Sequence, residues 1–153
     1  MARALASFTM IGIKQLQKHM DSRVQKLQNR KTVNAQAVAV TDRWIQKNFQ
    51  TQGKLAHPGT GWKELSPVTI AMRRKGPKKT GRIMILQDTG TMRSRWKHYW
   101  DAWIAKIQAG VNYAYKHHLG KDNLPVRRIL PTQKQIGPQI KELYAKWARK
   151  ILK

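Results

Sequence analysis

Cysteine is absent from this 153-residue sequence, which excludes disulfides and thiolate metal ligands and leaves stability to packing or subunit association. An intracellular protein is the natural expectation. Acidic residues are scarce too: 7 Asp plus Glu stand against 31 Lys plus Arg, a formal net charge of +24. The carboxylates Asp21, Asp42, Glu64, Asp88, Asp101, Asp122 and Glu142 occur singly, so no close sequence pair offers the acid and base of a hydrolase. Long apolar runs are missing as well. Ala35 to Val40 and Ile83 to Leu86 fall far short of a membrane span. Ser66 and Ser94 have no Gly-x-Ser-x-Gly context, and the Gly and Lys spacing around Gly76 to Gly81 is not that of a P-loop. Of the histidines His19, His57, His98, His117 and His118, the adjacent last two point in different directions on a helix and do not make the same-face pair zinc prefers. No enzyme activity, metal or cofactor is expected.

What the chain does hold is cationic charge and amphipathic pattern. Seven acids cannot pair thirty-one bases, so the excess points to a polyanion or an acidic protein surface as neighbour. Phosphate contact of that kind carries no sequence information. A hydrophobic fraction of 41% over this length suits one domain, 1–153, with exposed arms. The N-terminal stretch through Ile11 lacks a clear small-residue cleavage site and runs on into a helical pattern, and is read as mature sequence.

From Ile13, the residues Leu16, Met20, Val24 and Leu27 recur at three- and four-residue steps, predicting an amphipathic helix that either pairs with the next or extends as an arm over residues 1–30. Val33, Ala37, Val40, Trp44, Ile45 and Phe49 predict a second helix, with Thr32 or Asn34 as its cap. Gln52 to Gly61 is dense in turn formers. Ser66-Pro67 opens a short helix. Arg73 to Arg82 is the most basic stretch and, with its Gly and Pro, reads as a mobile loop. Ile83 to Leu86 is too short for periodicity to choose strand or helix. Alternation through Trp103, Ala105 and Ile107 favours a strand ending at Gly110, a short helix closes at Gly120, and Leu124 to Leu130 reads as extended. A final helix over Pro131 to Lys153 puts Ile140, Leu143, Tyr144, Trp147 and Ile151 on one face, with Pro138 compatible with its first turn.

An ordered series of small motifs crosses the middle of the chain. Trp62-x-x-Leu65 is followed by Leu86-x-x-Thr89-Gly90-x-Met92-x-Ser94, then Tyr113-Ala114-x-x-His117-x-x-Gly120, then Pro125-x-Arg127-x-x-Leu130. Their order and spacing resemble the phage virion morphogenesis family, the tail-completion proteins that finish the head-to-tail joint of tailed bacteriophages. Met92 stands where Leu is usual, His118 where Gln is more usual, and Ile129 where an aromatic is frequent.

The resemblance implies an α+β fold: amphipathic N-terminal helices, a small antiparallel β-sheet in the middle and a C-terminal helix. It implies a structural virion protein of the neck, assembled in the host cytoplasm, forming a homo-oligomeric ring at the head-proximal end of the tail. Sixfold symmetry is expected from the tail. Its partners would be itself, the tail terminator or tail tube, the head connector and phage DNA in the lumen, with no membrane. His117 would be a structural hydrogen-bonding residue under the sheet. The expected oligomer interface comprises Leu16, Met20, Val24, Leu27, Trp96, Trp100 and Trp103; aromatic rings dominate cores and interfaces more than they stack on bases. Contact with DNA or an acidic partner is expected from Arg73, Arg74, Lys75, Lys78, Lys79, Arg82, Arg127 and Arg128. The alternative that composition alone allows is a basic cellular nucleic-acid-binding protein of ribosomal or chromatin type.

Overall fold

The computed structural model describes residues 2–75 and 83–153, with side chains from Gly12 onward. The fold is α+β: helices α1 (Ala2–Gln28), α2 (Lys31–Gln50), α3 (Pro67–Lys75) and α4 (Thr91–Ser94), strands β1 (Trp96–Trp100) and β2 (Ala105–Ala109), then α5 (Ala114–Leu119) and α6 (Gln133–Leu152). The strands form one antiparallel hairpin in which Trp96 faces Ala109 and Trp100 faces Ala105. Asp101 closes its tip by accepting hydrogen bonds from the N–H groups of Trp103 (2.6 Å) and Ile104 (2.8 Å). Those bonds hold its carboxyl below the usual carboxylate range. Trp103 therefore lies in the turn, and the strand expected through it begins at Ala105.

Helix α2 is the axis. Val33, Ala37, Val38, Ile45 and Phe49 are buried along it, and the core continues through Trp62, Ile85, Met92, Trp96, Ala114 and Ile129. Phe49 meets the Trp62 ring edge-on at 5.2 Å between centroids, a geometry favoured by the ring quadrupoles. The hairpin and α6 both pack on α2, and the end of α1 touches α6, where Arg23 Nη2 donates to the Lys153 carbonyl at 3.3 Å. Neither Thr32 nor Asn34 caps α2; its N-cap is Arg30. Asn34 is buried instead, because its Nδ2 donates to the Asp101 carbonyl (2.8 Å) and its Oδ1 accepts from the Tyr144 hydroxyl. One amide thus ties the hairpin tip and α6 to α2.

Gly53 is required by a close approach. Its φ is +83°, and a Cβ there would lie 2.3 Å from the Trp62 ring. Gly120, at φ +71°, ends α5 in the left-handed conformation a Cβ resists. Pro67 takes the first position of α3 as expected, with Ser66 Oγ accepting the Thr69 N–H at 3.2 Å. Arg73, Arg74 and Lys75 are helical and not loop. Pro138 lies inside α6, one turn beyond the place expected for it; lacking an N–H, it leaves the Lys134 carbonyl without its helical bond. Gln135 anchors that helix, accepting from the Thr132 N–H (2.9 Å) and donating to the Leu55 carbonyl (2.7 Å). Ile83 to Leu86 forms a turn, neither strand nor helix.

Candidate functional site: a cleft built from the motif series

The segment from Leu124 to Leu130 runs extended with no strand beside it. Its backbone groups still need partners once covered by protein, and other segments supply them. The Arg127 N–H donates to the His117 carbonyl (2.8 Å) and the Ile129 N–H to His118 Nδ1 (3.1 Å). The Arg128 carbonyl accepts from both Asn48 Nδ2 and Trp62 Nε1, each at 3.0 Å. A motif tryptophan, a core asparagine and the last motif are locked together by one oxygen.

That lock brings distant motifs to a single cleft of about 690 Å³. Lys63, Glu64, Leu65, Thr69 and Arg73 form one wall, Leu86, Asp88, Thr89 and Met92 a second, and Tyr113, His117, Leu124, Pro125 and Arg127 a third. Eight of the motif residues named above, Leu65, Leu86, Thr89, Met92, Tyr113, His117, Pro125 and Arg127, therefore share one cavity. Others serve beneath or beside it. Trp62 and Ala114 are core, Gly90 caps α4 at φ +77°, Gly120 ends α5, and Ser94 Oγ bonds back to the Thr91 carbonyl at 3.4 Å. Leu130 is exposed.

The cleft wall carries backbone strain. Leu86 sits at φ +58°, a conformation that costs a bulky residue of the order of 1 kcal/mol or more. Its neighbours hold it there. The Ile85 N–H donates to Gln52 Oε1 (2.7 Å), and the buried Gln87 donates to the Phe49 carbonyl (2.9 Å) while accepting from Arg93 Nη1 (3.3 Å).

Charge is placed with equal constraint. Arg127 is 6% exposed. Its Nε and Nη2 donate to the Lys63 carbonyl at 3.2 and 3.1 Å, and Nη2 also reaches the Glu64 carbonyl at 3.3 Å. Burial first, and the Arg73 charge second, pull its pKa below the ordinary guanidinium value. Arg73 donates from Nη1 to the Met84 carbonyl (2.9 Å) and pairs with Asp88 at 3.6 Å. His117 Nδ1 is buried with no hydrogen-bond partner among the described residues, so the structural bond expected of it is made by its neighbour His118. Burial and then Arg127 hold the His117 pKa below the ordinary imidazole value. The Tyr113 ring stands edge-on to the His117 ring, 6.4 Å between centroids.

The structure separates the residues expected to meet partners. Arg127 is no surface cation, because backbone carbonyls of its own chain take its donors, and Arg73 is tied to Met84 and Asp88. Arg74, Lys75 and Arg128 are exposed; Lys78, Lys79 and Arg82 lie outside the described residues. Trp96 belongs to the core of its own chain, removing it from the expected interface. Leu16, Met20, Val24, Trp100 and Trp103 are exposed and Leu27 is half-buried. Arg30 stacks over the Trp103 ring at 5.4 Å. Nothing local marks Lys63, Glu64 or Asp88 as cleft residues, and sequence reasoning missed them. Glu64 and Asp88, far apart in sequence, come to one cavity, with Asp88 engaged by Arg73. Among the described residues no group of three or more His, Cys, Asp or Glu is placed to hold a metal ion, and no helix is long and apolar enough to cross a membrane. No family model, curated protein or solved structure matches this chain.

Proposed function

We propose that this chain is a structural virion protein of the neck and tail-completion class, forming a homo-oligomeric ring that joins the head-proximal end of a phage tail to the head connector. The observation that carries the reading is the convergence of the motif series. Residues recognised only by order and spacing, from Leu65 to Arg127, gather around one cleft and the core beneath it. A chance string of small motifs has no reason to share a cavity. The exposed apolar stripe of α1, with Leu16 62% and Met20 59% exposed, and the bare Trp100 and Trp103 supply surface for assembly. Arg74, Lys75 and Arg128 face outward and suit an acidic connector surface or packaged DNA. The role is non-catalytic. Closed rings are built from repeated heterologous contacts; the arm and the hairpin tip, which meet where Arg30 stacks over Trp103, would supply one half of such a contact, and six copies would match the tail.

The test is the mass and shape of purified, nuclease-treated protein in moderate salt, alone and mixed with tail tubes lacking it, by light scattering and negative-stain imaging. Ring-shaped oligomers or a cap at one tail end are the expected result. A monomer that ignores tails and binds RNA or DNA with measurable sequence preference would replace this reading with that of a cellular nucleic-acid-binding protein.

A further inference from the structure

Arg127 poses an electrostatic problem that the chain does not solve by itself. A buried charge is normally paired, since desolvation penalises it unless a counter-charge is near. Carbonyl dipoles satisfy part of its hydrogen bonding, but none of the ion pairs among the described residues engages Arg127. Arg73 lines the same cleft but is engaged by Asp88 at 3.6 Å, and Glu64, the cleft's other carboxylate, meets Arg127 only through its backbone carbonyl at 3.3 Å. His117 leaves a second buried polar atom without a partner there, and buried polar atoms of that kind are few in folded proteins. Around these groups Leu65, Leu86, Met92 and Pro125 are apolar. Lys63, Glu64, Thr69, Asp88 and Thr89 interleave with them, so the cleft mixes apolar contact area with fixed polar groups that orient what it holds.

We infer that this cleft binds a protein segment presenting a single carboxylate between apolar side chains, the carboxylate meeting Arg127 and His117 and the flanking side chains lying on Leu65, Leu86 and Pro125. A carboxylate on a planar guanidinium is a strong, oriented contact. A double-stranded nucleic acid offers phosphate but nothing for the apolar walls. The chain itself is a poor donor, with 7 acids among 153 residues, so the segment belongs to a different, acidic protein. The inference stands on the cleft alone and does not require the assembly role.

The experiment uses the full chain, labelled with nitrogen-15, and two blocked tripeptides, acetyl-Leu-Glu-Leu-amide and its glutamine twin. Expected are shifts of the Leu86, Thr89 and His117 resonances with the glutamate peptide, and affinity about 10-fold weaker for the twin, as loss of one charged hydrogen bond requires. The obvious variant, Arg127→Gln, also removes bonds that hold Lys63 and Glu64, so a second is needed. Thr69→Glu lies in the cleft lining, in the first turn of α3 where an acidic residue suits the helix, and one turn before Arg73, so it places a tethered carboxylate inside the cleft. It should weaken the glutamate peptide by about 10-fold, whereas Lys141→Glu, an exposed site on α6, changes it less than about 2-fold although it removes more positive charge. Equal binding of the twin, an equal loss in Lys141→Glu, or no cleft shift at millimolar peptide overturns the inference. So does saturation of the same resonances by glutarate, inorganic phosphate or a DNA oligonucleotide when the peptide leaves them unmoved.

Discussion

Helices α1 and α2 are neighbours in sequence, share an apolar residue every three or four positions, and meet opposite fates. Along α2 the stripe is covered, Val33, Ile45 and Phe49 being 0% exposed, while on α1 Leu16, Met20 and Val24 are 62, 59 and 49% exposed. Periodicity tells which side of a helix is apolar. What covers that side depends on the rest of the chain, here the turn after Gln50, the hairpin and Ile129, all of which close on α2 and none on α1. A stripe left bare on a stable helix marks surface available for another molecule.

The comparison breaks or holds under substitution. The largest effect belongs to Phe49→Ala, which empties the centre of the core and should cost about 3–5 kcal/mol in urea unfolding; a loss under 1 kcal/mol would mean the two stripes are not different in kind. Gly53→Ala comes next. Its Cβ would meet the Trp62 ring and its φ is left-handed, so a loss of about 1–3 kcal/mol is expected, with the Trp62 fluorescence environment changed; a neutral result would show that the ring is free to move.

His118→Leu follows, removing the acceptor of the Ile129 N–H and leaving a buried donor at a cost of about 1–3 kcal/mol. The same residue sharpens the picture through pH. Burial first and Arg128 second depress the His118 pKa, and burial and Arg127 that of His117. In both cases the unfolded chain takes up its proton first, so the stabilisation is complete above about pH 6.5 and is lost as pH falls toward the folded values. Urea midpoints should drop between about pH 7.5 and pH 5, and His118→Leu should flatten that slope. A midpoint that rises on acidification would contradict the burial of both rings.

The smallest effect on the folded monomer is expected for Leu16→Ser with Met20→Ser, within about 0.5 kcal/mol per site. Their consequence should appear in assembly, as a shift to lower mass by light scattering. Trp103→Ala should act likewise. Rings that form unchanged in both variants would detach α1 and the hairpin tip from the oligomer contacts.

Much of this was legible in the residues. The periods of α1, α2 and α6, the turn cluster from Gln52 to Gly61, Pro67 at a helix start and Gly120 at a helix end are local signals, and local chemistry decides them. The motif series marked residues of one cleft without showing that they touch. Leu86 in a left-handed turn was not legible, since its conformation is fixed by Gln52, Phe49 and Gln87 across the fold. The burial of Asn34 and Arg127 was hidden for the same reason: each looks like a surface residue until its partners, Tyr144 and Asp101 for one, Lys63 and Glu64 for the other, arrive from far along the chain. Trp96 could not be told from Trp100 by composition. They share one strand, and differ in what gathers on them: Ala109, Ala114, His118 and Ile129 surround Trp96, while Trp100 at the tip end is left exposed.

One feature of the N-terminal helix has a mechanical side. Its 27 residues at about 1.5 Å each make a rod of roughly 40 Å, joined to the body at Asn29 and Arg30 and touching α6 near that joint through Arg23. Such a rod is a lever with a short inner limb and a long outer one. A turn of about 10° at the joint carries its tip through roughly 7 Å, more than a full helical pitch, while the core around Phe49 stays where it is. The reach of the molecule is therefore set at Asn29 and Arg30, beside the hairpin tip where Arg30 lies over Trp103.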